Sequence, residues 1–285
     1  MLNRRDFLEY SLKSAILLGI GNKLVPWAGS LFTLPPEDQV SLRFAVVSDG
    51  HYGQPQTQFD QMHDLVIQAL NREHSGRGID FTFVNGDLFH DDPGFLLPVK
   101  KKWDELAMPY QVSHGNHDKI SEQGWKDVFG NEWHYSFKKK NCSFLVLNTA
   151  SPQGEYICPD LEKTRDMLKA HKKSKHLFVF MHITPYKWSG GGIECPDITA
   201  LFNRHSNIKA VFHGHDHDID EVRTKDGIHY VFDAHVGGSW GLPYSGYRIV
   251  EVMKDGTILT YQMNAGLGKQ MNSDKLGALV QEMSR

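Results

Sequence analysis

The chain has 285 residues, enough for one large domain or two small ones and for a substantial buried core. Apolar residues make up 40% and charged residues 23%, an ordinary balance for a soluble globular protein. A formal net charge of −3 gives no global pull toward nucleic acid or anionic membrane, whereas sixteen histidines keep metal chemistry open.

Residues 1–38 read as an N-terminal signal and linker. Arg4 and Arg5 precede Asp6, Phe7 and Leu8, and a modest apolar stretch runs from Ala15 to Ile20. That stretch is shorter than the about 20 residues a spanning helix needs, so no stable membrane span is expected. The RRDFL pattern resembles a twin-arginine export signal, which a receptor reads and which is not itself an anchor. The plainer alternative is an amphipathic N-terminal helix. The resemblance implies the twin-arginine export machinery as a partner and an exported, periplasmic protein that acquires metal before it leaves the cytoplasm. No clear A-x-A cleavage site follows. Export leads to an oxidising compartment, where disulfides persist. Of the three cysteines, Cys142 opens the apolar run CSFLVLN and is expected to be a buried thiol. Cys158 and Cys195 each begin a CPD segment and are candidates for a bridge, although three pairings, or none, remain open.

After LPPED (34–38), strand and helix patterns alternate through a domain placed at 39–270. Leu42–Val47 reads as a buried strand and 57–73 as an amphipathic helix with Thr57 as its cap. Phe81–Val84 is a second strand, followed by a helix over 95–106 that carries Pro98 in its first turn. Further short strands are predicted at 110–113, 144–147, 177–181 and 210–212, with helices at 160–171 and 197–205. From Asp220 onward, β-rich runs surround Asp-Gly turns, which predicts antiparallel hairpins. The expected fold class is α/β (α+β), two stacked mixed sheets flanked by helices. Residues 271–285 read as a tail, either a short helix or a frayed end.

The polar residues fall at recurring places. Asp49 and His51 follow the first strand, Asp87 the second, and Asn116, His117 and Asp118 the third. His182 closes a fourth apolar run, and His215 and His217 follow a fifth. In open sheet proteins the carboxyl ends of strands are where ligands bind. Gly50, Gly86, Gly115 and Gly214 each directly precede a candidate ligand. Singly these motifs are weak; together and in order, D-x-H, G-D, G-N-H-D, H and G-H-x-H form a specific constellation.

The series resembles the calcineurin-like metallophosphoesterase superfamily, with motifs running from Asp49 to His217 and flanking strands over about 42–265. The likeness implies a four-layer α/β/β/α sandwich with a dinuclear metal site at the sheet edge. It implies that Asp49, His51, Asp87 and His217 hold one ion, and that Asp87, Asn116, His182 and His215 hold the other, with Asp87 bridging. The cofactors expected are two divalent or mixed-valence transition-metal ions, Mn, Fe, Zn or Co, since mixed imidazole and carboxylate ligands suit these better than calcium or magnesium. His117 is implied to face the substrate as general acid, oriented by Asp118. Two divalent ions outweigh two aspartates and one hydroxide, which leaves a net positive centre that attracts a phosphate ester. The expected reaction is in-line attack of a metal-bridging hydroxide on a small phosphorylated substrate.

Other residues stay ambiguous. His114 and His213 suit supporting or core roles better than ligation. His90, Asp91 and Asp92 either line the entrance or form a solvated loop, and His235 is a candidate for the cleft. Asp216, Asp218 and Asp220 are expected to shape a turn or lie in solvent. The loops KWSGGG (187–192) and GGSWGLPYSG (237–246) are candidates for substrate selection. Phosphomonoesterase and phosphodiesterase readings, including cyclic-nucleotide-type enzymes, stay open. A non-catalytic scaffold retaining the fold is the alternative from another class, and the absence of a basic stripe argues against a nuclease.

Overall fold

The computed structural model describes residues 17–20, 23–26 and 34–276. Two units divide at Pro36 and Glu37. In the first, β1 (Leu17–Ile20) pairs antiparallel with β2 (Lys23–Pro26), so this part of the apolar stretch is extended. Arg4 and Arg5, which carry the export motif, lie outside the described residues.

The second unit contains two six-stranded mixed sheets. One is built from β3 (Val40–Val47), β4 (Phe81–Asn85), β5 (Tyr110–Ser113), β12 (Gly246–Met253), β13 (Ile258–Asn264) and β14 (Lys269–Leu276). Its order is β14-β13-β12-β3-β4-β5, with β3, β4 and β5 parallel and the remaining pairings antiparallel. The other comprises β6 (Tyr135–Lys139), β7 (Cys142–Val146), β8 (His176–Phe180), β9 (Ile208–His213), β10 (Val222–Lys225) and β11 (Ile228–Phe232). Its order is β10-β11-β9-β8-β7-β6, parallel in the middle and antiparallel at both edges.

Phenylalanines join the sheets. Phe44 meets Phe144, Phe178, Phe180 and Phe212 edge-on, and Phe83 stacks on Phe180 with centroids 3.6 Å apart. Full burial of each such ring contributes about 1.5–3 kcal/mol. The central strands are buried along their whole length, which explains why they read as unbroken apolar runs. Helix α1 (Phe59–Arg77) packs near β12 and α2 (Leu96–Trp103) packs against α1. Helix α3 spans Glu122–Phe129; α4 (Leu161–Ala170) and α5 (Pro196–Phe202) supply Leu168, Ile198, Leu201 and Phe202 to a second core with β7 and β8. Among the described residues no helix is long and apolar enough to cross a membrane.

Two expectations change. Thr57 is not the cap of α1: its hydroxyl donates to the Gln54 carbonyl, and Gln58 holds the cap position without a side-chain hydrogen bond. The predicted tail begins inside a strand, because β14 pairs with β13 through Leu276. The polar run KQMNSDKL hid this strand; it sits at a sheet edge, where polar side chains are tolerated.

Candidate metal centre

Both sheets bring the carboxyl ends of their parallel strands to one edge. Asp49 and His51 follow β3, Asp87 follows β4, and Asn116 and His117 follow β5; His182 follows β8, and His215 and His217 follow β9. Asn85 ties the layers behind this edge, donating to the Phe212 carbonyl of β9 at 3.1 Å and accepting from Ser113 of β5 at 2.9 Å.

The turns are tight. Asp49 (φ 58°), His51 (φ 45°), Asp87 (φ 52°) and His215 (φ 67°) all occupy the left-handed region, uncommon for non-glycine residues and concentrated at functional sites. Gly86 has φ 85°, and a Cβ there would lie 2.5 Å from His182 Nδ1. A Cβ on Gly115 would lie 2.2 Å from the Asp87 backbone nitrogen, so the third loop approaches the second only because glycine is there.

The donor atoms converge in two groups. Asp49, His51 and His217 form one, and Asp87, His182 and His215 the other, the ligand atoms of each lying within 4.8 Å of one another. Asp87 Oδ2 is 3.1 Å from His182 Nε2 and 3.7 Å from His51 Nε2, so one carboxylate faces both groups. Asp49 Oδ1 is 3.3 Å from His217 Nε2 and 3.8 Å from His182 Nε2. Asn116 Oδ1 and His182 Nε2 are buried without a hydrogen-bond partner. Buried polar atoms are ordinarily paired, so these orphans in a set of imidazoles and carboxylates fit a transition-metal site.

The imidazoles are oriented from behind. His182 Nδ1 donates to the Asn85 carbonyl at 2.7 Å and His217 Nδ1 to the Trp240 carbonyl at 3.2 Å, which leaves each Nε2 facing the centre. His51 Nδ1 meets His90 Nδ1 at 3.0 Å, and His235 stacks on His217. His114 bonds to Asn148 and the Asp118 carbonyl, and His213 to the Met181 carbonyl; both are supporting residues, in line with the expectation.

Electrostatics in the protein alone make the same point. Burial opposes a charge on His182, but Asp87 and Asp49 beside it prevail and push its pKa up to about 10. Burial also opposes the charge on Asp87, yet His182, His51 and His117 hold its pKa well below the usual carboxylate range. His51 and His215 go the other way, lowered to about 3 and about 4, chiefly by burial. The two carboxylates therefore draw positive charge into the centre, onto His182 and in the same direction onto His217, whose pKa Asp49 also raises against its burial.

One expected contact is absent. Asp118 does not orient His117: its fully buried carboxylate accepts the Phe89 and Gly115 backbone N–H groups at 3.0 and 2.9 Å. It fixes the loop that carries Asn116 and His117. The carboxylate beside His117 is Asp91, with Oδ1 2.9 Å from Nδ1 and 3.0 Å from Lys119 Nζ. The His117 side chain is 25% exposed and lines a cavity of about 430 Å³, together with Asp87, His215, His217, Tyr156 and Trp240.

A cluster of imidazole, carboxylate and amide donors at the facing edges of two stacked mixed sheets defines a metal-dependent phosphoesterase. The chain belongs to the calcineurin-like phosphoesterase family, whose sequence profile matches residues 42–218. Similar solved structures include a dimetal phosphatase from Danio rerio, at 12% identity and TM-score 0.64, covering 84% of this chain and 99% of that one. A purple acid phosphatase from yellow lupin seeds shares 14% identity with TM-score 0.65, covering 85% of this chain and 54% of that one. GAP50 of Plasmodium, described as an anchor in the inner membrane complex, shares 14% identity with TM-score 0.64, covering 85% and 90%. At such identities the likeness concerns the fold. No curated protein matches the chain in sequence.

Proposed function

We propose that the protein is an exported phosphoesterase that hydrolyses small phosphorylated molecules at a dinuclear centre. Asp49, His51, Asp87 and His217 would hold one ion, and Asp87, Asn116, His182 and His215 the other. Two such ions lower the pKa of water and offset charge on a phosphoryl group. The remaining work belongs to the chain. Asp87 presents a carboxylate to both groups of donors, and its Oδ1 is further fixed by the His117 N–H at 2.7 Å. His117 donates Nδ1–H to Asp91, which leaves Nε2 free to serve the cavity that the ring lines. From there it gives a proton to the leaving alkoxide, help typically worth about 10²–10⁴-fold.

The observation that carries this reading is the convergence of Asp49, His51 and His217 and of Asp87, His182 and His215, the ligand atoms of each group lying within 4.8 Å of one another; Asn116 Oδ1 is in addition buried without a partner. Export is supported by the Arg4-Arg5 motif and by the Cys158–Cys195 disulfide, a bond that persists in oxidising compartments. The anchor description of GAP50 raises a scaffold reading; the intact donor set together with His117 and Asp91 favours turnover. The test is metal analysis of the purified protein followed by hydrolysis of 4-nitrophenyl phosphate and bis(4-nitrophenyl) phosphate under Mn, Fe, Zn and Co. About two ions per chain and metal-dependent release of nitrophenol are expected. Bound metal with neither ester cleaved would overturn the reading in favour of the scaffold.

A further inference from the structure

The cavity has two walls of different composition. Trp240, 45% exposed, lies against His217 with centroids 4.4 Å apart and rings tilted by 11°. It also faces His51 at 5.0 Å and His117 at 6.4 Å. Tyr156, 42% exposed, stands across the centre, edge-on to His215 at 4.9 Å. Gly191 lies against the same His215 ring, where a Cβ would stand 2.6 Å from the imidazole and 3.1 Å from Asp216 Oδ1, and Ser189, Gly190 and Asp218 also line the cavity. Among the described residues no lysine or arginine lines the cavity. The described residues thus leave two large aromatic rings exposed at opposite sides of one polar floor.

In-line displacement gives these walls different occupants. The leaving oxygen must sit beside the general acid, and on the proposed phosphoesterase reading that acid is His117. Trp240 is the aromatic ring next to His117, so the organic part of the leaving group lies on the Trp240 indole. The far wall then meets whatever else the phosphorus carries. There a second anionic oxygen beyond the reach of the two ions would approach Asp216 with no cationic side chain among the described residues to meet it. An esterified oxygen avoids that repulsion and places an organic substituent against Tyr156.

We propose that the site takes phosphodiesters, with the leaving alcohol stacked on Trp240 and the retained substituent held between Tyr156 and Ser189–Gly191. Trp240 and Tyr156 are then specificity-determining residues, one for each side of the phosphorus. The hydrolysis balances: water supplies OH to phosphorus, the P–O bond to the leaving alcohol breaks, that alcohol departs with the proton given by His117, and the water's remaining proton passes to solvent, from which His117 is reprotonated. A planar leaving group such as an aryl or nucleoside alcohol suits the exposed indole face.

The proposal rests on the phosphoesterase reading, and two probes separate their failures. Diphenylphosphinate carries one negative charge and two aryl groups; phenylphosphonate carries one aryl group and an additional ionisable oxygen; neither is hydrolysed. Calorimetry on the metal-loaded protein should show diphenylphosphinate binding more tightly than phenylphosphonate. Trp240→Ala and Tyr156→Ala should each weaken diphenylphosphinate about 3- to 10-fold, with Trp240→Phe restoring part of the loss. Metal content of each variant, measured in parallel, shows that the floor is intact. In turnover, kcat/KM for bis(4-nitrophenyl) phosphate should exceed that for 4-nitrophenyl phosphate. Tyr156→Ala should cost bis(4-nitrophenyl) phosphate more than methyl 4-nitrophenyl phosphate. Equal or tighter phenylphosphonate binding, or equal losses for both probes, would overturn the inference even if esters are cleaved. Aromatic-dependent binding of diphenylphosphinate without cleavage of any ester would sustain the inference about the walls and sink the phosphoesterase reading instead.

Discussion

His51 Nε2 lies 2.9 Å from His217 Nε2, in a buried space where the Nδ1 of each ring is already engaged elsewhere. With His217 Nδ1 donating to the Trp240 carbonyl, its Nε2 is an acceptor that either the Nε2–H of His51 or a cation held between the two rings can satisfy. At Asp87 and His182 the positive charge is a proton on His182, whose pKa is raised to about 10. A divalent ion must displace that proton, because a ligating imidazole nitrogen is unprotonated. Zinc or manganese added to metal-free protein at pH 8 should therefore release about one proton from His182. Calorimetry in buffers of different ionisation enthalpy counts it. His182→Asn should bind metal more weakly with that proton missing from the count; unchanged release would remove His182 from the ligand set.

The ligand groups also make a prediction about stability. Metal that binds only the folded state stabilises it by about 4 kcal/mol at a free concentration about 1,000 times its Kd. Chelation should lower the thermal midpoint by several degrees. His217→Ala should lower metal content and abolish most of the difference between loaded and chelated protein. A full complement of metal in His217→Ala would contradict its assignment.

His117 and Asp91 form a pair that the G-N-H-D motif does not contain. Asp91→Asn keeps the shape but replaces a carboxylate acceptor with an amide, so the Nδ1–H of His117 loses its charged acceptor. The expected result is a kcat loss of about 10- to 100-fold on esters with poor leaving groups, and less on 4-nitrophenyl esters that need little protonation. Metal content should stay at the wild-type value. Asp118→Asn differs: it weakens the hold on the Phe89 and Gly115 N–H groups and should lower thermal stability as well as activity. If Asp118→Asn alone reproduces the leaving-group dependence, the partner assignment is wrong.

These two aspartates show what was legible in the sequence. The donors from Asp49 to His217 were readable because each follows an apolar strand and a glycine, a local pattern that topology turns into one edge. The partner of His117 was not readable, since Asp91 and Asp118 are both near candidate residues in sequence and only the fold decides which reaches the ring. The Trp240 carbonyl behind His217 carries no residue-type signal at all, because any residue has a carbonyl. Helix α3 and strands β6 and β14 were missed for another reason. Their surfaces are half exposed, so polar residues interrupt the apolar period that marks the buried strands β4, β7 and β8.

The Cys158–Cys195 bond joins two loops that line the cavity. Tyr156 lies two residues before Cys158, and Ser189–Gly191 lie shortly before Cys195, which caps α5. Closing a loop across a separation of 37 residues restricts the unfolded chain, a contribution of about 2–4 kcal/mol. Cys158→Ser with Cys195→Ser should show that loss in urea unfolding. Its KM for bis(4-nitrophenyl) phosphate should rise more than its kcat falls, because the metal floor is built on other loops. An unchanged KM would mean that the loops hold their places without the bond.

His63 and His213, two buried histidines outside the donor set, add to the acid sensitivity of the fold alongside other imidazoles that burial lowers, among them His51, His114, His134 and His215. His63 and His213 are fully buried; each donates Nδ1–H to a carbonyl, and each leaves Nε2 without a partner. Burial lowers their pKa values to about 4 and about 3, against about 6.5 in the unfolded chain. Below pH 6.5 the unfolded state therefore binds protons that the folded state refuses, so stability is full above that pH and declines as pH falls toward the folded values. Each imidazole contributes a slope of up to about 1.4 kcal/mol per pH unit in this window. His182 does not oppose the trend, since its raised pKa gives a contribution already complete below pH 6.5 and lost only as pH rises toward 10. Urea unfolding of chelated protein between pH 7.5 and 5 should show the decline, and His63→Phe should flatten the slope by about one imidazole's worth. An identical slope in His63→Phe would mean that His63 takes up its proton without unfolding.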